Sequence, residues 1–260
     1  MNVGLIGAGH IARALAEGWS RPGVPGPPSL IFFDVDAAKA DELAAASGAA
    51  AATAAELVAQ ADLVIVAVRP QHVEGVLRDI GVRLGERPLV SVAAGVSLAR
   101  LQAALPAGTR VARVMPNVAA ALGLGVFLLV PGTLGHDVAE VEDLFALAGD
   151  VVEVDEAHFD AATAVAGCMP GIIAYLVEAF AAAGVARGLA AGVALQLAVA
   201  GVHGAAAIVA HEGDPAAVVA AAATSGGMTA AAIEKLKERE LALTVDVAVA
   251  AAIARAKELA

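Results

Sequence analysis

Cysteine is almost missing from this chain: Cys168 is the only one in 260 residues. An intrachain disulfide is therefore impossible, and a cysteine-built metal site has lost its usual ligands. Basic residues are also scarce. Sixteen Lys and Arg stand against 27 Asp and Glu, the formal net charge is -11, and no run of Lys or Arg occurs. A nucleic-acid partner calls for a basic stripe, so none is expected. Ser-His-Asp, HExxH and Walker signatures are absent, and no metal site is expected. The opening Met1-Asn2-Val3-Gly4-Leu5-Ile6-Gly7 lacks the basic lead of a secretory signal, which makes a cytoplasmic location the expectation.

Charged residues make up only 17% of the chain and hydrophobic ones 59%, a balance that belongs to a packed protein rather than a disordered one. Residues 189–209 are almost free of charge and long enough to suggest a membrane span. That stretch is mostly Ala and Gly, with Gln196 and His203 inside it. Alanine contributes little transfer energy, so no membrane is expected; a helix apolar all round is equally one buried in a core or a subunit interface.

The first half alternates short β-branched runs with alanine-rich helical segments. Strands are expected at 3–6, 29–33, 63–68, 89–92, 110–114, 125–130 and 151–154. Helices are expected at 11–19, 37–46, 73–84, 98–104 and 137–148. Repeated β-α units of this size predict an α/β fold, a Rossmann doubly wound parallel sheet over residues 1–155. From 156 to 260 the strand signal stops. Helices are expected at 158–167, 171–187, 190–211, 215–222, 228–239 and 243–259, punctuated by Gly188, Gly213-Asp214-Pro215 and Ser225-Gly226-Gly227. These helices are poor in charge and rich in small residues, so their apolar faces predict burial in a homodimer or a larger homo-oligomer.

Gly7-Ala8-Gly9-His10-Ile11-Ala12 forms a GxGxxA run directly after the first strand. Gly7 permits a tight turn, and Gly9 lets the backbone approach a pyrophosphate seated on the helix N-terminus. Such spacing also arises as a plain strand-to-helix turn, and its position after a strand favours the dinucleotide reading. Asp34 ends the second strand, where an acid accepts hydrogen bonds from ribose hydroxyls and repels a 2′-phosphate. Lys39 is the only local cation, so NAD(P)H is expected with a lean toward NADH; a solvated loop acid is the bland alternative. Val68-Arg69-Pro70-Gln71, Ser91-Val92-Ala93-Ala94-Gly95 and Arg113-Val114-Met115-Pro116-Asn117 end three further strands, at the sheet edge where ligands sit.

These motifs together resemble the pyrroline-5-carboxylate reductase family. The text that carries the resemblance runs from Gly4 (GLIGAGHIARAL), Ala67 (AVRPQ), Ser91 (SVAAGVSL) and Arg113 (RVMPN). Pro170, Glu178-Ala179 and residues 184–189 continue in the same order, and Thr224-Ser225-Gly226-Gly227-Met228-Thr229 resembles the family's substrate loop. The resemblance implies a Rossmann domain followed by a helical dimerisation domain, and reduction of a small-molecule cyclic imine by NAD(P)H. It implies cofactor contacts at Gly7, Ala8, Gly9, His10, Ile11, Asp34, Val68, Arg69, Pro70, Ala93, Ala94 and Asn117. Substrate contacts fall at Ser225, Gly226, Gly227, Met228 and Thr229, with Thr229 as the catalytic-site hydroxyl; an N-cap is its structural alternative.

Departures from the family pattern fall mainly on the substrate side. Ser225 abuts Gly226 where the family has an intervening proline, and Ala166-Gly167-Cys168-Met169 replaces a serine- and glycine-rich lead into Pro170. Ile172 stands in place of a tyrosine, Val118-Ala119 in place of Thr-Pro, Ala54 in place of an asparagine, and His10 in place of another. A lost buried polar contact costs about 1–3 kcal/mol, enough to move substrate preference about tenfold. Reduction of pyrroline-5-carboxylate to proline is the expectation. Reduction of another cyclic imine carboxylate, or nucleotide binding without catalysis, stays open beside it. Cys168 reads as a buried small hydrophobe before a reactive thiol, and His211-Glu212-Gly213-Asp214 as a polar helix end before a metal site.

Overall fold

The computed structural model describes residues 1–47, 50–51 and 53–259. Two compact units result: Met1–Cys168 joined by the end of the last helix from Ala252, and Met169–Ala251.

In the first unit the strands are β1 (Asn2–Ile6), β2 (Ser29–Phe33), β3 (Ala50–Ala51), β4 (Leu63–Val66), β5 (Leu89–Ser91), β6 (Val111–Met115), β7 (Gly125–Val130) and β8 (Gly149–Glu153). Its helices are α1 (His10–Trp19), α2 (Ala37–Ser47), α3 (Ala54–Gln60), α4 (Pro70–Leu84), α5 (Leu98–Ala104), α6 (Val138–Ala146) and α7 (Phe159–Ala162). The strands make one sheet in the order β3-β2-β1-β4-β5-β6-β7-β8. Strands β1 to β6 run parallel, with Ile6 opposite Phe33 on one side and Val66 on the other. Pairing of β7 with β6 is antiparallel, a reversal the sequence reading did not anticipate. Its cause is the short connection: only a 3-10 turn, Val118–Leu122, lies between them, and a parallel return needs a longer crossover.

Alternate residues of the buried strands feed opposite faces. Leu5 and Ile65 face Leu15, Trp19, Phe127 and Phe145, while Ile6, Val64 and Val66 face Leu57, Leu77, Leu84 and Val111. Trp19 is almost fully buried, and its Nε1–H donates to the Leu144 carbonyl at 2.9 Å. Helix α3 went unread in the sequence although its start signal is present. Thr53 caps it by accepting from the Glu56 N–H, and the Glu56 carboxylate returns the bond to the Thr53 N–H. On the surface of α4, the Glu74 carboxyl is held below its usual range, chiefly by the hydrogen bond from Arg100 and then by that guanidinium's charge.

Residues 156–167 belong with the sheet. Phe159 packs on Leu128 and Val130, and the Arg113 guanidinium lies 4.0 Å from the Phe159 ring centre. Arg113, almost wholly buried, pairs with Glu156 at 2.6 Å, and the same carboxylate oxygen accepts from the Leu98 N–H at 2.9 Å. Helix α7 then widens into a π turn, Thr163–Gly167. These contacts explain why the compact units divide at 168/169 rather than at 155/156.

The second unit is helical: α8 (Met169–Val185), α9 (Ala191–Glu212), α10 (Pro215–Ala222), α11 (Met228–Glu238) and most of α12 (Leu241–Leu259). Among its described residues only Ala194 is buried as a hydrophobic side chain. Tyr175, Phe180, Leu195, Leu197, Val245 and Val247 are all exposed in the single chain. Helices α8 and α9 border an open groove of about 640 Å³, lined by Pro170, Ile173, Val177, Leu195 and Val199 among others. Two helical stretches, Glu156–Val185 and Ala191–Glu212, are long and apolar enough to cross a membrane by length and composition.

Candidate active site

Strand order reverses between β1 and β4, with β2 and β3 lying to one side and β5 and β6 to the other. In an open α/β sheet the crevice at such a reversal, beyond the carboxyl ends of the strands, is where ligands bind. The glycine turn sits at that point. Gly7 follows β1 with φ +106, and its N–H donates to the Phe33 carbonyl of β2 at 2.7 Å. A Cβ on Gly7 would stand 2.6 Å from the Ala67 carbonyl oxygen, so the left-handed backbone and the close approach both demand glycine.

Gly9 is different in kind. It N-caps α1 in an extended conformation, no side chain caps that helix, and a Cβ placed on it would meet nothing within 4 Å. The N–H groups of the first turn of α1 are therefore left for a ligand, and open space lies where one would come. A pyrophosphate fits this cradle. Ala8 and Ile11 pack their side chains on the core and offer only backbone, whereas the His10 ring is exposed.

Asp34 lies just beyond β2 and ties the turn together. Its Oδ2 accepts from the Ala8 N–H at 2.8 Å and its Oδ1 from the Asp36 N–H at 2.9 Å. A carboxylate has about four acceptor positions, so roughly two remain for ribose hydroxyls. The Ala8 N–H, by contrast, is already spent on Asp34. Asp36 was not singled out from the sequence, yet its carboxylate holds Lys39 at 3.1 Å, an i,i+3 spacing that was there to be read.

The other strand exits gather at the same edge. Val68 packs on the core, Arg69 is exposed at the N-cap of α4, and Pro70 opens that helix with no N–H to leave unpaired. Past β5, Ala93 is buried and Ala94 half-buried, and the Ala93 N–H donates to Ser91 Oγ at 3.4 Å. Asn117 is buried, and its side chain is committed to backbone. Nδ2 donates to the Ala166 carbonyl at 3.3 Å, while Oδ1 accepts from the N–H groups of Ala119 at 3.1 Å and Val126 at 3.4 Å. The geometry makes Asn117 the pin between the β6 exit and the π turn.

In the second unit, residues 225–229 come together at the start of α11. Gly226 has φ +73, and the Gly227 N–H closes a turn onto the Thr224 carbonyl at 2.9 Å. Gly227, not Thr229, is the N-cap, and no side chain caps the helix. Thr229 is the second residue of α11 and exposed, beside an open helix N-terminus suited to a carboxylate. Met228 is 92% exposed, and Ser225 is exposed as well. Cys168 is exposed in the chain, which corrects the expectation of a buried one. His211-Glu212-Gly213-Asp214 is helix punctuation: Gly213 ends α9 in the left-handed conformation, and Asp214 caps α10 through the Ala216 N–H at 2.9 Å.

Family models match both halves of the chain. One described as pyrroline-5-carboxylate reductase dimerisation covers residues 156–259, and one described as NADP oxidoreductase, coenzyme F420-dependent, covers residues 2–95. The chain is 37% identical to the pyrroline-5-carboxylate reductase of Mycobacterium leprae, over 99% of this chain and 96% of that protein. Its fold matches the 1-pyrroline-5-carboxylate reductase of Streptococcus pyogenes with a TM-score of 0.89 at 30% identity, over 99% of this chain and 98% of that one. It matches the Plasmodium falciparum pyrroline carboxylate reductase solved with NADP bound with a TM-score of 0.88 at 25% identity, over 100% and 98%.

Proposed function

The chain belongs to the pyrroline-5-carboxylate reductase family, and on that premise we propose that it reduces the C=N bond of pyrroline-5-carboxylate to give proline, using NAD(P)H. When bound, the dihydronicotinamide supplies the hydride that the imine carbon takes up, while a proton comes to rest on the ring nitrogen. The chain's own task is to hold two rings face to face and fix the substrate's charge.

The observation that carries this reading is the contrast at the β1 exit: Gly7 is closed on by Ala67, and Gly9 is open over uncapped N–H groups. Backbone at Gly9, His10 and Ile11 takes the pyrophosphate. Asp34 takes the ribose hydroxyls and favours NADH. Val68, Arg69, Pro70, Ala93 and Ala94 flank the path at neighbouring strand exits, with Asn117 shaping the edge from within. Ser225, Gly226, Gly227, Met228 and Thr229 hold the substrate carboxylate, with the Thr229 hydroxyl as the catalytic-site donor. Following loss of reduced-nicotinamide absorbance on adding pyrroline-5-carboxylate tests the proposal; no turnover with NADH or NADPH refutes it.

The exposed apolar helices support a homodimer built on residues 156–260, a surface covered by a second copy rather than by lipid. We infer a cytoplasmic location for this small-molecule enzyme, and its acidic charge suits no nucleic-acid partner. One observation favours a second reading: Ser225 runs directly into the left-handed Gly226, without the proline of the family loop, and Ile172 brings no hydroxyl. Such a loop suits a different cyclic imine carboxylate. Comparing kcat/KM across five- and six-membered cyclic imines separates the two readings.

A further inference from the structure

The turn between β2 and α2 carries a charge arrangement that bears on which dinucleotide the site accepts. It reads Asp34-Val35-Asp36, with Lys39 in the first turn of α2. Both oxygens of Asp34 are anchored to backbone N–H groups, one in the glycine turn and one in its own loop, so this carboxylate is fixed in place. The Lys39 ammonium is held by Asp36 at 3.1 Å. The next cation on that side, Arg13 of α1, is paired with Glu42 of α2 at 2.8 Å. A 2′-phosphate arriving here would face two carboxylates and one ammonium already in use. The unphosphorylated ribose needs only acceptors, which Asp34 supplies.

Resting on the dinucleotide reading above, we propose that the Asp36–Lys39 ion pair is the discriminating element: it withholds from the 2′-phosphate the one cation the turn possesses. Asp34 disfavours the phosphate by repulsion alone. Asp36 adds a second repulsion and also neutralises Lys39. Both partners of the pair are well exposed, so the pair itself is weak and contributes little to stability. Its effect is on the local field, where a nearly doubly charged phosphate responds about twice as strongly as a single charge. Arg69, exposed at the β4 exit and without an ion-pair partner among the described residues, is the rival anchor for that phosphate.

Calorimetric titration of the whole protein decides the matter without turnover. NADH and NADPH are compared, and adenosine 5′-monophosphate is compared with adenosine 2′,5′-bisphosphate, probes that lack the nicotinamide. The wild type should bind the unphosphorylated member of each pair about tenfold or more tightly than the phosphorylated one. Asp36→Asn should narrow that ratio by about five- to tenfold, and adding Lys39→Gln to Asp36→Asn should widen it again. A wild type that binds both members of a pair alike, or prefers the bisphosphate as capture by Arg69 would produce, overturns the proposal. An unchanged ratio in Asp36→Asn, or no reversal by Lys39→Gln, overturns it too. Failure of all four probes to bind overturns it together with the dinucleotide reading, a result distinct from binding without preference.

Discussion

The two units of this chain solve the problem of burial in opposite ways. The first surrounds its sheet with helices and buries Trp19, Phe32, Phe127 and Phe145 almost completely. The second has longer helices, 22 residues in α9 against 15 in α4, yet Ala194 is its one buried hydrophobic among the described residues, and Tyr175 and Phe180 stay exposed at 72% and 62%. A lone chain with that much apolar surface in water is unfinished. One unit therefore carries its own core, and the proposed homodimer is what would give the other its core.

That contrast can be attacked directly. Leu195→Glu places a charge in the groove between α8 and α9; within a dimer it would cost roughly 3–5 kcal/mol. Sedimentation should show loss of the dimer, and a dimer that survives with unchanged melting temperature breaks the comparison. In the first unit, Gly7→Ala forces a Cβ against the Ala67 carbonyl and should cost roughly 1–3 kcal/mol in thermal unfolding. Its partner experiment, Gly9→Val, fills open space, so stability should move by no more than about 1 kcal/mol while NADH binding is lost in calorimetry. Equal stability losses at the two glycines would contradict the assignment of one to the turn and the other to the ligand. Asn117→Ala strands backbone groups at three positions and should lower stability by about 1–3 kcal/mol in denaturant titration. Thr229→Ala should leave unfolding within about 0.5 kcal/mol of the wild type. It should also raise KM for the imine about tenfold, a change that steady-state kinetics will register.

Much of the first unit could be read from residues alone, because its strands are short β-branched runs bounded by turn signals and its glycine turn has a steric reason to be glycine. What escaped had a local cause in each case. Helix α3 follows a run of alanines and brings only Leu57 and Val58 to the core, too little for a periodic pattern, although Thr53 and Glu56 spelled out its cap. The reversal at β7 depends on the length of a connection rather than on composition. Asn117 ends a strand at the binding edge, and its residue type alone does not reveal the three backbone groups that its side chain also holds. For Thr229 the structural alternative, an N-cap, falls to Gly227 instead, and the hydroxyl is left exposed in the first turn of α11. Cys168 was expected inside on the habits of its residue type; its neighbours after the π turn leave it exposed. Composition did point to the second unit as the one with apolar faces left over: its helices are poor in charge, and those faces are exposed in the single chain.

The account turns on hydride passing from a dinucleotide held at the glycine turn to a cyclic imine. Mass spectrometry of the product formed from pyrroline-5-carboxylate and NADH carrying deuterium at both C4 positions follows that hydride itself. Proline with a single deuterium, on the ring carbon that had been the imine carbon, is the predicted result. Unlabelled proline, or no proline with either reduced dinucleotide, would contradict it.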